Sequence, residues 1–299
     1  MNMLYRTLLT LAAGALLALP AQAQQFINVL TGGTSGIYYP LGVSLTQIYG
    51  KAIPEAKSTV QATKASAENL NLLQAGRGEI ALTLGDALSM AWKGDAEAGF
   101  KSPLDKLRGV SATYNNYIQI VASADSGIKT MADLKGKRIS VGAPKSGYAD
   151  FAKVEYLPFG ESVELIKNRQ LDVTLQSAGL GVASIRDLAT SVKIVVVAIP
   201  AEVVAKVGDA AYQSAIIPAN TYHGQTTDVP TAAIPNFLVS HAGVPADLVC
   251  KMTKSMYDNL DMMVAAHAAA KAIKRENAEK GMPLPLHPGA EKYYKSGSC

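Results

Sequence analysis

A short β-rich run, a small polar loop and a helical pattern follow one another repeatedly along this chain, and this unit constrains the fold more than any other feature. Clear examples are FINVL, TGGTSG and IYYPLGVSLTQIYG; IALTL, GD and ALSMAWKG; and DVTLQ, SAGLG and VASIRDLAT. Strands that alternate with helices predict an α/β fold with parallel-rich sheets flanked by helices. Because the loops after parallel strands meet at one edge of a sheet, we expect their Gly, Ser and Thr residues to converge there.

Residues 1–23 have the composition of a secretory signal peptide. Arg6 precedes an apolar run from Leu8 to Leu19, and Ala21 and Ala23 form a small-x-small cleavage signal. The apolar run is shorter than the roughly 18 to 20 residues that a membrane-spanning helix needs. We therefore expect an exported protein whose mature chain begins near Gln24.

The composition narrows the class of protein further. The chain is too long for one small core and has no Pro/Gly/Ser-rich linker, which indicates two interwoven lobes. A net charge of +4, without a basic run interleaved with aromatics, does not favour nucleic-acid binding. Cys250 and Cys299 are the only cysteines. They form either one disulfide bridge or a buried thiol and a frayed terminal one, and the spacing does not choose between these alternatives.

The loop Gly32–Gly36, before the first helical pattern, has the composition of an anion-binding loop. It offers free backbone N–H groups, two hydroxyls and glycines that permit close approach. Neither of the two common phosphate-binding glycine motifs fits it, and no Lys or Arg lies between Gln24 and Gly50. A single carboxylate is therefore a better ligand than a polyphosphate. One loop supplies too little free energy for micromolar binding, which needs about 8 kcal/mol, so several loops must close on the ligand.

Catalytic and metal-binding motifs are not evident in the sequence. The four histidines are far apart, and there is no H-E-x-x-H, no G-x-S-x-G and no C-x-x-C. Carboxylate pairs that meet only in space are not detectable from sequence. The residues of the strand-end loops suit holding a ligand more than transforming it, and we expect no cofactor.

Several segments together resemble one family, the TAXI type of TRAP-transporter solute-binding proteins. The matching segments follow the family's order over most of the chain: TGGTSGIYYPLG, ATKASAENLNLLQAGRGEIAL, ADSGIKTMADLKGKRISVGAP, KVEYLPFGESVELIKNRQLDV, GQTTDVPTAAIPNFLVSHAGVPADLV and PLHPGAEKYYK. The resemblance implies a two-lobed, type II periplasmic-binding-protein fold with a ligand cleft between the lobes. It places lobe 1 at 24–115 and 232–299 and lobe 2 at 116–231.

The resemblance also implies a function and a set of ligand residues. The function is capture of a small carboxylate solute, a glutamate-like amino acid or a dicarboxylate, in the periplasm and its delivery to TRAP permease subunits by a monomeric receptor. The residues carried over are Gly33, Thr34, Ser35 and Tyr38 in the first loop, Ser66 and Asn69 in the second, Ser146 and Gly147 in the third, and Ser177 in the fourth. Tyr117 and Tyr222 either line the cleft or pack the lobe interface.

The chain departs from the family pattern in three places. Leu84-Gly85 replaces a Gln and a small polar residue before Asp86, and Asn115-Asn116 stands where Pro-Glu is common. After Gly147 a helix of about four turns is missing, and the ten residues from Pro144 to Lys153 are fewer than the dozen or so that a parallel crossover needs. Either lobe 2 reroutes its strands, or the gene carries a deletion.

Two alternative functions are compatible with the same predicted fold. A sensory ligand-binding protein would use the same closing receptor and dock on a membrane receptor instead of a permease. An exported enzyme that acts on a small acid would need a catalytic pair inside the cleft.

Overall fold

The computed structural model describes residues 25–142 and 153–299, and one mixed β-sheet runs through them. The strand order is β2-β1-β3-β10-β4-β7-β5-β6, with β8 added to β4 and β9 added to β10. The strands are β1 Gln25–Leu30, β2 Ala56–Gln61, β3 Ile80–Leu84, β4 Leu107–Ser123, β5 Arg138–Ser140, β6 Lys153–Glu155, β7 Val173–Ala178, β8 Ile194–Val197, β9 Gln213–Ile217 and β10 Val229–His241.

Helices follow most of the strands, as the recurring unit predicts. They are α1 Tyr38–Ala52, α2 Ser66–Gln74, α3 Gly85–Lys93, α4 Phe159–Lys167, α5 Ala183–Ser191, α6 Ala201–Ala205, α7 Ala246–Asp258, α8 Leu260–Ala266 and α9 Pro288–Ser296. In the described ranges, no helix has both the length and the apolar character needed to cross a bilayer.

The two ends of the sheet are parallel, whereas its centre is antiparallel. At one end β1 lies between β2 and β3, and at the other β5 lies between β6 and β7, all four pairs being parallel. The strands β4 and β10 are antiparallel to each other and to the strands beside them. The parallel ends bring Leu30, Gln61 and Leu84, the last residues of their strands, to one edge of the sheet.

The long strands β4 and β10 join two halves of the sheet. They pair with each other from Leu107↔His241 to Ala233↔Tyr117. Beyond that point β4 pairs with β7 and β8, and β10 pairs with β9. We call β1–β3 with their helices the first half and β5–β9 with theirs the second half. The predicted lobe boundaries, at 115/116 and 231/232, fall inside these two strands, and the division into lobes stays a prediction.

The segment predicted to be too short for a helical crossover joins β5 to β6. These strands are nevertheless parallel neighbours, with Arg138 opposite Lys153 and Ser140 opposite Glu155. Residues 143–152, which form this connection, lie outside the described residues.

An apolar stripe near the C-terminus lies in the core. Leu248, Met252 and Met256 on α7 are buried in the cluster that also packs α1 against the sheet. The helical region that begins at Ala246 is interrupted at Asn259 and at His267, whose side chain accepts a hydrogen bond from Ala269 N.

The two cysteines are bonded to each other. Cys250 on α7 and the terminal Cys299 have Cα atoms 5.6 Å apart. Of the alternatives that the sequence leaves open, the structure has the disulfide, which ties the segment after α9 to α7.

Candidate functional site

The opening loop lies between the end of β1 and the start of α1. Gly36 N donates to Gly33 O over 3.0 Å, which closes a turn with Gly33 and Thr34 exposed at its tip. The Ser35 hydroxyl oxygen accepts a hydrogen bond of 3.1 Å from Gly160 N in the first turn of α4. The N–H groups of a first helical turn have no partner within their helix. A hydroxyl oxygen of the first half therefore satisfies an open donor of the second half.

Tyr38, the first residue of α1, points its hydroxyl into the protein. The hydroxyl donates to Asn236 Oδ1 on β10 and lies beside Ser66. Burial raises the pKa of Tyr38 far above its ordinary value, so the hydroxyl remains a protonated donor. Ser66 in turn accepts a hydrogen bond of 3.0 Å from Leu84 N, at the end of β3.

A chain of amide and hydroxyl groups continues from Tyr38 across the middle of the sheet. Asn236 Nδ2 donates to Tyr114 O over 2.9 Å and to Asn116 Oδ1 over 2.8 Å. Asn116 Nδ2 then donates to Ser177 O over 2.7 Å and lies 3.3 Å from Ser177 Oγ. We call Tyr38, Asn236, Asn116 and Ser177 the polar relay. It connects the start of α1 in the first half with the end of β7 in the second half.

Asn69 lies below the opening loop and is fully buried. Its Nδ2 donates to Thr31 O over 2.6 Å and to Leu82 O over 2.8 Å, and its Oδ1 accepts from Thr63 Oγ1 over 2.7 Å. Both amide hydrogens are thus used within the protein. The Asn69 side chain therefore connects the residue that follows β1 to β3, next to the opening loop.

Tyr114 carries a buried hydroxyl that has no hydrogen-bond partner within the described ranges. Burial raises its pKa well above the ordinary value. Its ring packs close to Gly179: a Cβ there would lie 3.1 Å from Tyr114 Cε2 and 2.7 Å from Ile37 Cδ1. Tyr117, by contrast, is half-buried and packs against the main core cluster.

Asp86 in the first turn of α3 forms a second contact between the halves. Its Oδ1 accepts from Ala87 N over 2.6 Å, and its Oδ2 accepts from the Tyr212 hydroxyl over 2.7 Å. Burial raises the pKa of Asp86, and this effect exceeds the lowering by the Tyr212 hydrogen bond. The glycine before it, which departs from the TAXI pattern, is explained by packing: a Cβ on Gly85 would lie 2.9 Å from Phe237 Cε2.

Tyr222, between β9 and β10, forms hydrogen bonds within the second half and to β4. Its hydroxyl donates to Gln119 Oε1 on β4 and accepts from Gly181 N over 3.2 Å. Gln119 Nε2 donates onward to Ala178 O over 3.0 Å, next to the end of the polar relay. Tyr222 therefore connects the loop after β7 to β4.

The structure thus brings Tyr38, Ser66 and Ser177 into one connected set, with Ser35 at the contact between the halves and Gly33 and Thr34 exposed beside it. The predicted residues Ser146 and Gly147 lie outside the described residues. In the described part of the chain, no group of three or more His, Cys, Asp and Glu side chains could hold a metal ion.

Sequence reasoning missed the centre of the relay. Asn236 is not among the predicted residues, and Asn116 was noted only as a departure from a family pattern. A signal was present, since Asn236 is a lone amide within the apolar run of β10 and is 0% exposed. A buried amide in such a run needs hydrogen-bond partners, and it finds them in Tyr38, Tyr114 and Asn116.

A sequence model of the NMT1-like family matches residues 29–296, almost the whole described chain. The chain belongs to the NMT1-like family. Among solved structures, this NMT1-like chain is similar to the periplasmic binding protein BugD, with a TM-score of 0.58, 14% identity and coverage of 92% of this chain and 98% of BugD. It is also similar to a protein described as a periplasmic transporter, with a TM-score of 0.52, 15% identity and coverage of 92% and 93%.

These similarities establish the fold of the NMT1-like chain. The predicted α/β fold of the periplasmic-binding-protein type is confirmed: a central sheet is flanked by helices, as in these structures. At 14% and 15% identity the likeness extends to the fold alone. The TAXI type within this broader class stays a prediction from the sequence.

Proposed function

We propose that this NMT1-like protein is an exported receptor that holds a small carboxylate solute between two lobes and passes it, unmodified, to a membrane permease of the TRAP type. The observation that carries the proposal is the polar relay. Two buried amides, Asn236 on β10 and Asn116 on β4, connect the Tyr38 hydroxyl in the first half with Ser177 in the second half. Tyr38 and Ser177 lie beside strand ends, where ligands bind in α/β folds.

The chemistry of the relay and the opening loop favours a single carboxylate. Their side chains are uncharged, and a carboxylate accepts hydrogen bonds from neutral hydroxyls and backbone N–H groups. A hydrogen bond to a charged group contributes roughly 1.5 to 3 kcal/mol. Three to five such bonds would supply the roughly 8 kcal/mol of micromolar binding.

The proposed residues divide into two roles. Gly33, Thr34, Ser35 and Ser177 are proposed to contact the solute, together with Tyr114, whose buried hydroxyl has no partner in the described protein. A buried hydroxyl without a partner costs about 1 to 3 kcal/mol, and a bound carboxylate would recover this free energy.

The second role is to position the contacting groups. Tyr38, Ser66 and Asn69, with Asn116 and Asn236, already use their polar atoms within the protein. Tyr117 is proposed to line the cleft where the two lobes meet. Ser146 and Gly147 stay proposed contacts of the third loop on the sequence resemblance alone.

The start of α4 supports a site between the lobes. Ser35 supplies an oxygen acceptor to Gly160 N there, and a solute carboxylate is the same kind of acceptor. The contacts Ser35–Gly160 and Asp86–Tyr212 both join residues of the proposed lobe 1 to residues of the proposed lobe 2. They fit a closed receptor, and we propose that closing and opening regulate solute capture and release.

The partner and the location rest on the sequence. We propose a TRAP permease as the partner on the segments that resemble the TAXI family, and the periplasm as the location on the signal-like residues 1–23. We propose that the receptor works as a monomer, without a cofactor and without catalysis.

Isothermal titration calorimetry with a panel of amino acids, monocarboxylates and dicarboxylates tests this proposal, with mass analysis of each solute after incubation. We expect one-to-one binding of at least one solute at micromolar concentration, with its mass unchanged. Turnover of the bound solute would favour the enzyme alternative, and failure of the whole panel to bind would contradict the receptor.

A further inference from the structure

A cavity whose lining includes none of the polar-relay residues lies between α5 and the turn that connects β9 to β10. Its volume is about 390 Å³, and it is lined by Arg186 and Thr190 on one side and by residues 220–224 on the other. Small-molecule sites generally range from about 300 to 1,000 Å³. The cavity is therefore large enough for a small metabolite.

The turn that forms one wall is held in place by Gln225. The Gln225 side chain is buried, and its Nε2 donates to Pro218 O over 2.9 Å and to Thr227 O over 2.8 Å, while its Oε1 accepts from Tyr222 N over 3.3 Å. Asp228 Oδ1 also accepts from Ala219 N over 2.8 Å. The wall is thus pre-organised, which lowers the entropic cost of binding a ligand against it.

Arg186 brings a positive charge to this cavity without a carboxylate partner. None of the ion pairs found in the described ranges includes Arg186, and the neighbouring Asp187 is paired with Lys167 at 2.6 Å. The charge acts on the groups nearby: it contributes to lowering the pKa of His267, whose main cause is burial. It also opposes the rise in the pKa of Tyr222, which burial causes.

We propose that this cavity is a binding site for a small oxyanion, a metabolite that carries a carboxylate or phosphate group. The planar guanidinium of Arg186 presents paired N–H donors that match either group in a bidentate arrangement. The Asn220 amide and the His223 imidazole, both in the cavity wall, supply further polar groups. The proposed site shares no lining residue with the polar relay or the opening loop.

Titration with inorganic phosphate and with succinate at low ionic strength tests this site, followed by NMR on the Gly224 amide and by calorimetry. We expect saturable binding of at least one probe, and Arg186→Gln is expected to weaken it at least tenfold. Arg77→Gln removes the same charge from an exposed position in the first half and serves as the matched control, with unchanged affinity expected. Equal weakening by the two variants, or binding that Arg186→Gln leaves unchanged, would overturn the proposal, as would the absence of saturable binding.

The same titrations separate this site from the cleft. Oxyanion binding at Arg186 is expected to persist in Thr34→Ala with Ser35→Ala, and binding of the cleft solute is expected to persist in Arg186→Gln. Loss of the cleft solute alone would contradict the proposed receptor function, and loss of the oxyanion alone would contradict the Arg186 site. If Arg186→Gln abolished binding of the cleft solute as well, the two sites would not be independent.

Discussion

The Tyr212 hydroxyl donates a hydrogen bond to Oδ2 of Asp86 across 2.7 Å, and this contact joins the residue before β9 to the first turn of α3. The two residues belong to different halves of the sheet. Together with the Ser35–Gly160 hydrogen bond, this contact links the opening loop and α3 to the second half. Both contacts are expected to break when the proposed lobes separate.

Removing the Tyr212 hydroxyl is expected to favour the open receptor. Tyr212→Phe leaves the buried Asp86 carboxylate without this donor, which costs about 1.5 kcal/mol in the closed form. We expect roughly tenfold weaker solute binding and a larger radius of gyration in small-angle X-ray scattering. Tyr156→Phe, at an exposed tyrosine, is the control. Wild-type affinity and size in Tyr212→Phe would show that this contact does not hold the halves together.

The raised pKa of Asp86 predicts a specific dependence of stability on pH. Because burial raises the pKa above its ordinary value of 3.8, the folded protein binds more protons than the unfolded chain at pH values between the two pKa values. The contribution of Asp86 to the free energy of unfolding therefore decreases as the pH rises from 3.8 through the raised pKa. Below 3.8 it is constant.

Asp86→Asn is expected to abolish this pH-dependent contribution. Chemical denaturation of wild type and variant across pH 3 to 7 measures the difference in the free energy of unfolding at each pH. We expect the difference to change in favour of the variant as the pH rises. Asp261→Asn, at an exposed residue of α8, is the control. Parallel pH profiles for wild type and Asp86→Asn would contradict the assignment.

Asn236 is expected to be the most sensitive residue of the polar relay. Asn236→Ala deprives the Tyr38 hydroxyl, Tyr114 O and Asn116 Oδ1 of their partner inside the protein. We expect a loss of about 3 kcal/mol or more in the free energy of unfolding, measured by denaturant titration. Asn115→Ala removes an exposed amide from β4 and is expected to change stability by less than about 0.5 kcal/mol. Similar losses in both variants would contradict the relay.

The opening loop is expected to contribute directly to solute binding. Thr34→Ala combined with Ser35→Ala removes two hydroxyls, one of which also contacts α4, and should weaken binding at least tenfold, about 1.4 kcal/mol. Calorimetry with the solute identified by the panel measures this loss. Ser102→Ala with Thr226→Ala, at exposed positions, is the matched control. Unchanged affinity in the loop variant would remove the loop from the site.

The individual strand–loop–helix units were predictable from the sequence, whereas the antiparallel centre of the sheet was not. The units around β1, β3 and β7 follow from short-range hydrophobic patterns and loop residues. The antiparallel pairing of β4 with β10 joins residues more than a hundred positions apart, from Leu107↔His241 to Ala233↔Tyr117. No local pattern specifies such a partner, so the mixed character of the sheet emerged only from the structure.

The candidate site shows the same contrast between residues that local sequence predicts and residues that only long-range pairing brings in. Ser35, Tyr38, Ser66 and Ser177 lie at strand ends, where loop composition indicates a binding edge. Asn236 and Tyr212 enter the site from strand interiors or distant turns, and only the sheet topology brings them to Tyr38 and Asp86. A lone polar residue in a buried strand is the signal that could have identified Asn236.

Native mass spectrometry of the protein, purified without added ligand, tests the central claim most directly. We predict a population that carries one small carboxylate solute, released with its mass unchanged, and loss of that population in Thr34→Ala with Ser35→Ala. A protein that carries no solute, and acquires none when small acids are added, would contradict the account, as would release of a chemically altered product.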